Sequence, residues 1–113
     1  MGNPIDKVME VLNEFNKNRE WDQFHTPKNL VMAIAGECGE LCELYQWEDT
    51  ADKEKLEREV ADIAIYLLLL CEKTDIDLIE SIYEKIAINR IKYPVELFIG
   101  LSKKSDIEVA DEI

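Results

Sequence analysis

Four acidic side chains carry the pattern in this sequence most able to do chemistry. Glu37 and Glu40 stand three residues apart in Ala35-Gly-Glu-Cys-Gly-Glu-Leu41, and Glu59 and Asp62 repeat that spacing in Glu59-Val-Ala-Asp-Ile63. On a helix, residues three apart share a face, with Cβ atoms about 5–6 Å apart. Both pairs fall where apolar residues are expected. Glu37 lies between Ile34 and Leu41 on the stripe that should face a core, and Asp62 interrupts the otherwise apolar run from Val60 to Cys71. A carboxylate in such surroundings needs a cation or hydrogen-bond donors, or its pKa climbs until it is neutral. Four hard oxygen donors without His or Cys suit Mg²⁺ or Mn²⁺ and fit zinc or copper poorly. The competing reading pairs these acids with Lys55, Arg58 or basic groups of another chain, since salt-bridge networks also place carboxylates between helices.

Positioning such a cluster takes helices, and the pattern supplies four. Asn3-Pro4 reads as a cap followed by Pro at the first helical position, and Ile5, Val8, Met9, Leu12 and Phe15 form the stripe of a first helix fading near Arg19-Glu20. The segment from Trp21 to Thr26 lacks periodicity and reads as a loop. Thr26-Pro27 opens a second helix by the same logic, with Leu30, Ile34, Leu41 and Leu44 on its stripe and an end near Trp47. A third helix begins near Asp52 or Lys53 and runs through Cys71. It is apolar on every side after Glu59, as a helix enclosed by protein should be, yet too short to span a bilayer. Thr74-Asp75 ends it and caps a fourth helix carrying Ile76, Ile79, Ile82, Tyr83, Ile86 and Ile91, which must stop before Pro94. Short links favour antiparallel neighbours, so the expected fold is all-α, an up-and-down bundle of four main helices. Gly36 and Gly39 flank the first acidic pair and lower helix propensity, which makes sense where something approaches the backbone closely.

A chain of 113 residues bounds one compact domain, placed at 1–94, with 95–113 as a tail of no clear pattern. Net charge −12 argues against nucleic-acid or anionic-membrane partners, but not against nucleotides bridged by divalent cations. Cys38, Cys42 and Cys71 form no CxxC pair and read as buried free thiols in a reducing compartment rather than zinc ligands. The first residues lack the pattern of a secretory signal, so a cytoplasmic protein is expected.

Three blocks, Ala35 to Trp47, Glu59 to Tyr66 (Glu-Val-Ala-Asp-Ile-Ala-Ile-Tyr) and Ile88 to Pro94 (Ile-Asn-Arg-Ile-Lys-Tyr-Pro), closely resemble the MazG-like nucleotide pyrophosphohydrolases, nearest to their small dCTP pyrophosphatase branch. The likeness covers order and spacing from about Arg19 to Pro94. It implies that Glu37, Glu40, Glu59 and Asp62 hold Mg²⁺ and serve catalysis, the cation binding a nucleoside triphosphate that water splits to monophosphate and pyrophosphate. By the same resemblance, Trp21, His25 and Trp47 belong to the nucleoside pocket, Tyr66 and Asn89 contact sugar or base, and Arg90 and Lys92 contact phosphate. Aromatic faces stack on bases, which gives these residue types a reason to be there. Some dCTP-preferring relatives carry a histidine in the first helix, and this first helix has none. The resemblance also implies a homo-oligomer, a tetramer built from dimers. The expected function is Mg²⁺-dependent hydrolysis of a deoxynucleoside triphosphate, dCTP or a related one, in nucleotide-pool cleansing. The alternative is a nucleotide- or metal-binding module without turnover. A ferritin-like di-iron protein expects ExxH pairs, and the chain has none.

Overall fold

The computed structural model describes residues 3–101. The elements are α1 (Pro4–Asn18), a single 3₁₀ turn at Asp22–Phe24, α2 (Pro27–Glu43), α3 (Lys53–Lys73), α4 (Leu78–Lys92) and the short α5 (Val95–Phe98). Among the described residues there is no strand, and no helix is long and apolar enough to cross a membrane. The four main helices are those expected, and three begin where the capping signals stand. The side chains of Asn3, Thr26 and Asp52 accept the backbone N–H groups of Asp6, Asn29 and Lys55 at 3.0, 3.2 and 3.0 Å. Each bond satisfies a donor that the first helical turn leaves orphaned, a gain of about 1 kcal/mol per cap.

The chain divides between Ile76 and Asp77 into two compact units. In the first, α2 and α3 pack along their length as a helical hairpin, with α1 against α3. Leu30 on α2 and Leu69 on α3 are its most enclosed apolar side chains, at 1% and 3% exposure. Each is worth roughly 1.5–3 kcal/mol of burial. Two polar links tie the far end of this unit together. Asn13 Nδ2 on α1 donates to Glu72 Oε2 on α3 at 2.8 Å, and Lys73 Nζ pairs with Asp22 in the 3₁₀ turn.

Both α1 and α3 close through a residue in the left-handed region. Glu20 has φ 55°, letting the N–H groups of Glu20 and Trp21 reach back to the carbonyls of Lys17 and Asn16. Asp75, φ 57°, does the same for α3, where the Ile76 N–H donates to the Cys71 carbonyl at 2.8 Å. This double closure usually recruits glycine, because a Cβ crowds the following carbonyl there. Asp75 is therefore spent on ending α3, and Asp77 caps α4 by accepting the Glu80 N–H, a boundary two residues later than the sequence reading.

In the second unit, α4 stops at Lys92 and α5 follows Pro94, with Tyr93 and Phe98 edge to face at a ring-centroid separation of 5.0 Å. The 95–113 tail thus holds one short helix, and residues 102–113 lie outside the described part.

Three expectations are corrected. The α-helix of α2 ends at Glu43 rather than near Trp47, because Leu44, Tyr45 and Gln46 turn their N–H groups to carbonyls three residues back, the tighter winding common at a helix end. Cys38 and Cys42 are exposed, and only Cys71 is partly covered. They share an outer stripe of α2 with Val31 and Ala35, away from the face that carries Leu30. Nor do the described residues enclose α3, since Val60, Ala64 and Leu67 form an exposed apolar row along it.

Candidate metal centre

The α2–α3 hairpin brings the two acidic pairs to one place. Glu37 and Glu40 present from one helix and Glu59 from the other, and an oxygen from each lies within 4.8 Å of the other two. Glu37 and Glu59 are half-buried, and each keeps one oxygen, Oε2, sealed from solvent with no hydrogen-bond partner. Asp62, also half-buried, is not within that 4.8 Å set, but its negative charge acts on Glu37.

The cluster shows its strain in protonation. The Glu37 carboxyl is pushed up to about 7, first by the hydrogen bond a proton on it makes to Glu40, then by the one to Glu59, by desolvation, and by the charges of Glu40 and Asp62. Like carboxylates this close cannot all ionise without a compensating charge. Among the described residues no protein cation supplies it. Arg58 turns to Glu54 on the exposed side of α3, and the other ion pair is Lys73 with Asp22. The alternative of a salt-bridge network with Lys55 or Arg58 thus finds no contact here. Orphaned, partly buried carboxylate oxygens from two helices are a donor set that fits a hard divalent cation.

The remaining site residues of the sequence reading are more dispersed. Tyr66 lies half-buried on α3, one turn beyond Asp62. His25, just after the 3₁₀ turn, is half-buried with its Nδ1 enclosed and unpartnered. Trp21 is 44% exposed and meets Phe15 edge to face at 5.6 Å, with the Arg19 guanidinium over the Phe15 ring at 3.6 Å. Trp47, in the loop after α2, is 86% exposed, so it has no packing role within the described chain. Asn89, Arg90 and Lys92 belong to the last turns of α4, in the second unit, where Lys92 Nζ stands 5.7 Å from the Tyr93 ring. Beside Gly36 and Gly39 an added Cβ would meet nothing within 4 Å, so no described part of this chain makes the close approach that their composition suggested.

Sequence reasoning missed a second polar locus. Asn16 is 6% exposed, the most enclosed polar residue of the described chain, and with Asn13 and Glu72 it lines a cavity at the end of α1. Its signal was present. Asn16 continues the stripe of Ile5, Met9 and Leu12 at helical spacing, where an apolar residue would be expected.

The fold and cluster together define an all-helical protein whose helical hairpin carries a set of inward carboxylates. The chain belongs to the MazG-like family, whose pattern it matches over residues 32–106, past Pro94 into the tail. It is 37% identical over 110 residues to dCTP pyrophosphatase 1 of Rattus norvegicus, covering 88% of this chain and 65% of that protein. Identity to the Homo sapiens protein of that name is 34% at the same coverage, so this chain spans about two thirds of the length of these relatives. A solved structure of a pyrophosphatase from Archaeoglobus fulgidus is 37% identical and superposes with a TM-score of 0.75, covering 83% of this chain and 95% of that one.

Proposed function

We propose that this protein is a divalent-cation-dependent nucleoside triphosphate pyrophosphohydrolase, converting dCTP or a related deoxynucleoside triphosphate to the monophosphate and pyrophosphate in nucleotide-pool cleansing. The observation that carries the reading is the convergence of Glu37, Glu40 and Glu59, the first and last with a buried, unpartnered oxygen, and with no cation paired to them among the described residues. The names of the relatives, dCTP pyrophosphatase and pyrophosphatase, support the reaction class.

In this reading Glu37, Glu40, Glu59 and Asp62 are both the cation ligands and the catalytic acids. Mg²⁺, or Mn²⁺ in its place, supplies charge neutralisation of the triphosphate and of the leaving pyrophosphate. The protein's own part is positioning. The hairpin holds the carboxylates rigidly on two packed helices, and Glu37, with its proton held near neutrality, gives that proton up when the cation site fills. A carboxylate of the cluster, Glu37 or Glu40, takes the proton of the attacking water. As the resemblance implies, Trp21, His25 and Trp47 serve the nucleoside pocket, Tyr66 and Asn89 contact sugar or base, and Arg90 and Lys92 contact phosphate. Trp47, 86% exposed, is available to stack on a base.

The working form is a homo-oligomer, a tetramer built from dimers, in the cytoplasm. The exposed apolar rows on α2 and α3 support assembly, since surface of that kind marks protein contacts. The test is release of pyrophosphate and monophosphate from a panel of canonical and modified deoxynucleoside triphosphates with Mg²⁺ or Mn²⁺. Turnover of at least one bears the reading out. Cation and nucleotide binding without turnover across the panel would make this a binding module instead.

A further inference from the structure

Cysteine is among the residue types most often buried, yet α2 turns two free thiols, Cys38 and Cys42, outward. They stand four residues apart within one continuous helix, so they share a face with their Cβ atoms about 5–6 Å apart. The packing of α2 against α3 holds that spacing fixed. The third thiol differs. Cys71 on α3 is partly covered, and burial pushes its pKa up, away from the thiolate that binds metals and reacts.

The spacing decides what the exposed pair can do. A disulfide needs Cβ atoms about 3.5–4.5 Å apart, so direct closure between Cys38 and Cys42 would have to distort the helix. One atom placed between the two sulfurs spans the wider gap without moving the backbone. There is room for it. At Gly39, which lies between the two cysteines in the chain, an added Cβ would meet nothing within 4 Å, so among the described residues the helix surface beside the thiols is open.

The donor set selects the ion. The stripe that carries the thiols otherwise offers Val31 and Ala35, which have no side-chain oxygen or nitrogen. Among the described residues, the group of three or more His, Cys, Asp or Glu donors close enough to share an ion is Glu37, Glu40 and Glu59, and neither cysteine belongs to it. Mg²⁺ takes hard oxygens, and a structural zinc site closes with a full tetrahedral ligand set, so two thiolates alone suit neither. Soft thiolates select copper(I), which is satisfied by two sulfurs in a line. A chain of net charge −12 also favours a cation at its surface.

We propose that Cys38 and Cys42 form a two-thiolate site for copper(I), on the outer face of α2 and separate from the carboxylate cluster. The ion enters as a monovalent cation, each thiol releases its proton to solvent, and two Cu–S bonds form with no change of oxidation state. The site goes beyond the hydrolytic reading and does not depend on it.

The test titrates the reduced full chain with copper(I), kept reduced by ascorbate and held by a chromophoric competitor such as bicinchoninate. One ion per chain should pass from competitor to protein and protect two thiols from dithiobis(nitrobenzoate), and excess Mg²⁺ should leave the transfer unchanged. Cys38→Ser and Cys42→Ser should each weaken binding by about 10²-fold or more, the loss of one arm of a chelate, while Cys71→Ala retains it. If either serine variant does not fold, wild type alkylated at its exposed thiols with iodoacetamide takes its place and should lose the ion. Copper(I) left on the competitor would overturn the proposal. So would a Cys38→Ser or Cys42→Ser variant that binds as tightly as wild type, retention of the ion by the alkylated chain, or an assembly of chains that covers Cys38 and Cys42 so that dithiobis(nitrobenzoate) does not reach them.

Discussion

Glu37 on α2 and Glu59 on α3 belong to one carboxylate cluster, and each keeps one solvent-sealed oxygen without a hydrogen-bond partner. Two helices that pack through apolar faces thereby hold like charges together, an arrangement that costs the cation-free chain stability. The cost depends on pH in a definite direction. With its pKa raised from 4.5 to about 7, Glu37 favours the native state fully below about pH 4.5, where both states carry the proton, and this favour is lost as pH rises through 7. Thermal melts in EDTA should therefore show the wild type losing stability between pH 5 and 8. Glu37→Gln should melt higher than wild type at pH 8, with the gap closing toward pH 5. A wild-type profile that instead rises over that window would contradict the clustered acids.

Cation addition reverses the penalty. Mg²⁺ at tenfold excess over its Kd should stabilise the wild type by about 1.4 kcal/mol. Asp62→Asn removes one repelling charge, so in EDTA it should melt above wild type, gain less from Mg²⁺ and lose pyrophosphate release. Were Asp62 paired to a protein cation, the variant would melt lower in both buffers.

Trp47 separates binding from folding because its side chain is almost wholly solvent-exposed. Trp47→Ala should leave circular dichroism and Tm nearly unchanged while lowering kcat/KM by about 10- to 200-fold, the loss of one stacking contact. Unchanged kcat/KM would remove Trp47 from the nucleoside pocket.

Asp75 ends α3 at φ 57° without the freedom of glycine. Asp75→Gly should relieve that crowding and stabilise by roughly 0.5–1 kcal/mol, a rise of a few degrees in Tm, with no effect on cation binding. A drop in Tm would mean that the aspartate contributes more through its side chain than its backbone costs.

Assembly is tested by its covering surface. Val60 at 51% exposure and Leu67 at 39% lie on the outer row of α3. Light scattering at low micromolar concentration should show an oligomer for wild type, and Val60→Asp with Leu67→Asp should shift it toward monomer. A monomeric wild type would refute the proposed tetramer.

Local chemistry was legible without the fold. Asn3, Thr26 and Asp52 cap their helices because capping depends on one side-chain oxygen and an N–H three residues on, all within a few positions of the chain. The all-α architecture followed from periodicity for the same reason, and the acidic pairs stood out because each fell on an apolar face. Other features depended on distant parts of the chain. Whether Glu59 meets Glu37 and Glu40 is decided by the pairing of α2 with α3. Cys38 and Cys42, apolar by type and expected inside, are exposed because α2 is apolar on more faces than one chain covers. Asn16 stood out in sequence only as a polar residue on an apolar stripe; its enclosure was decided by the turn through Glu20 and the end of α3, since burial belongs to the surroundings of a residue and not to its type.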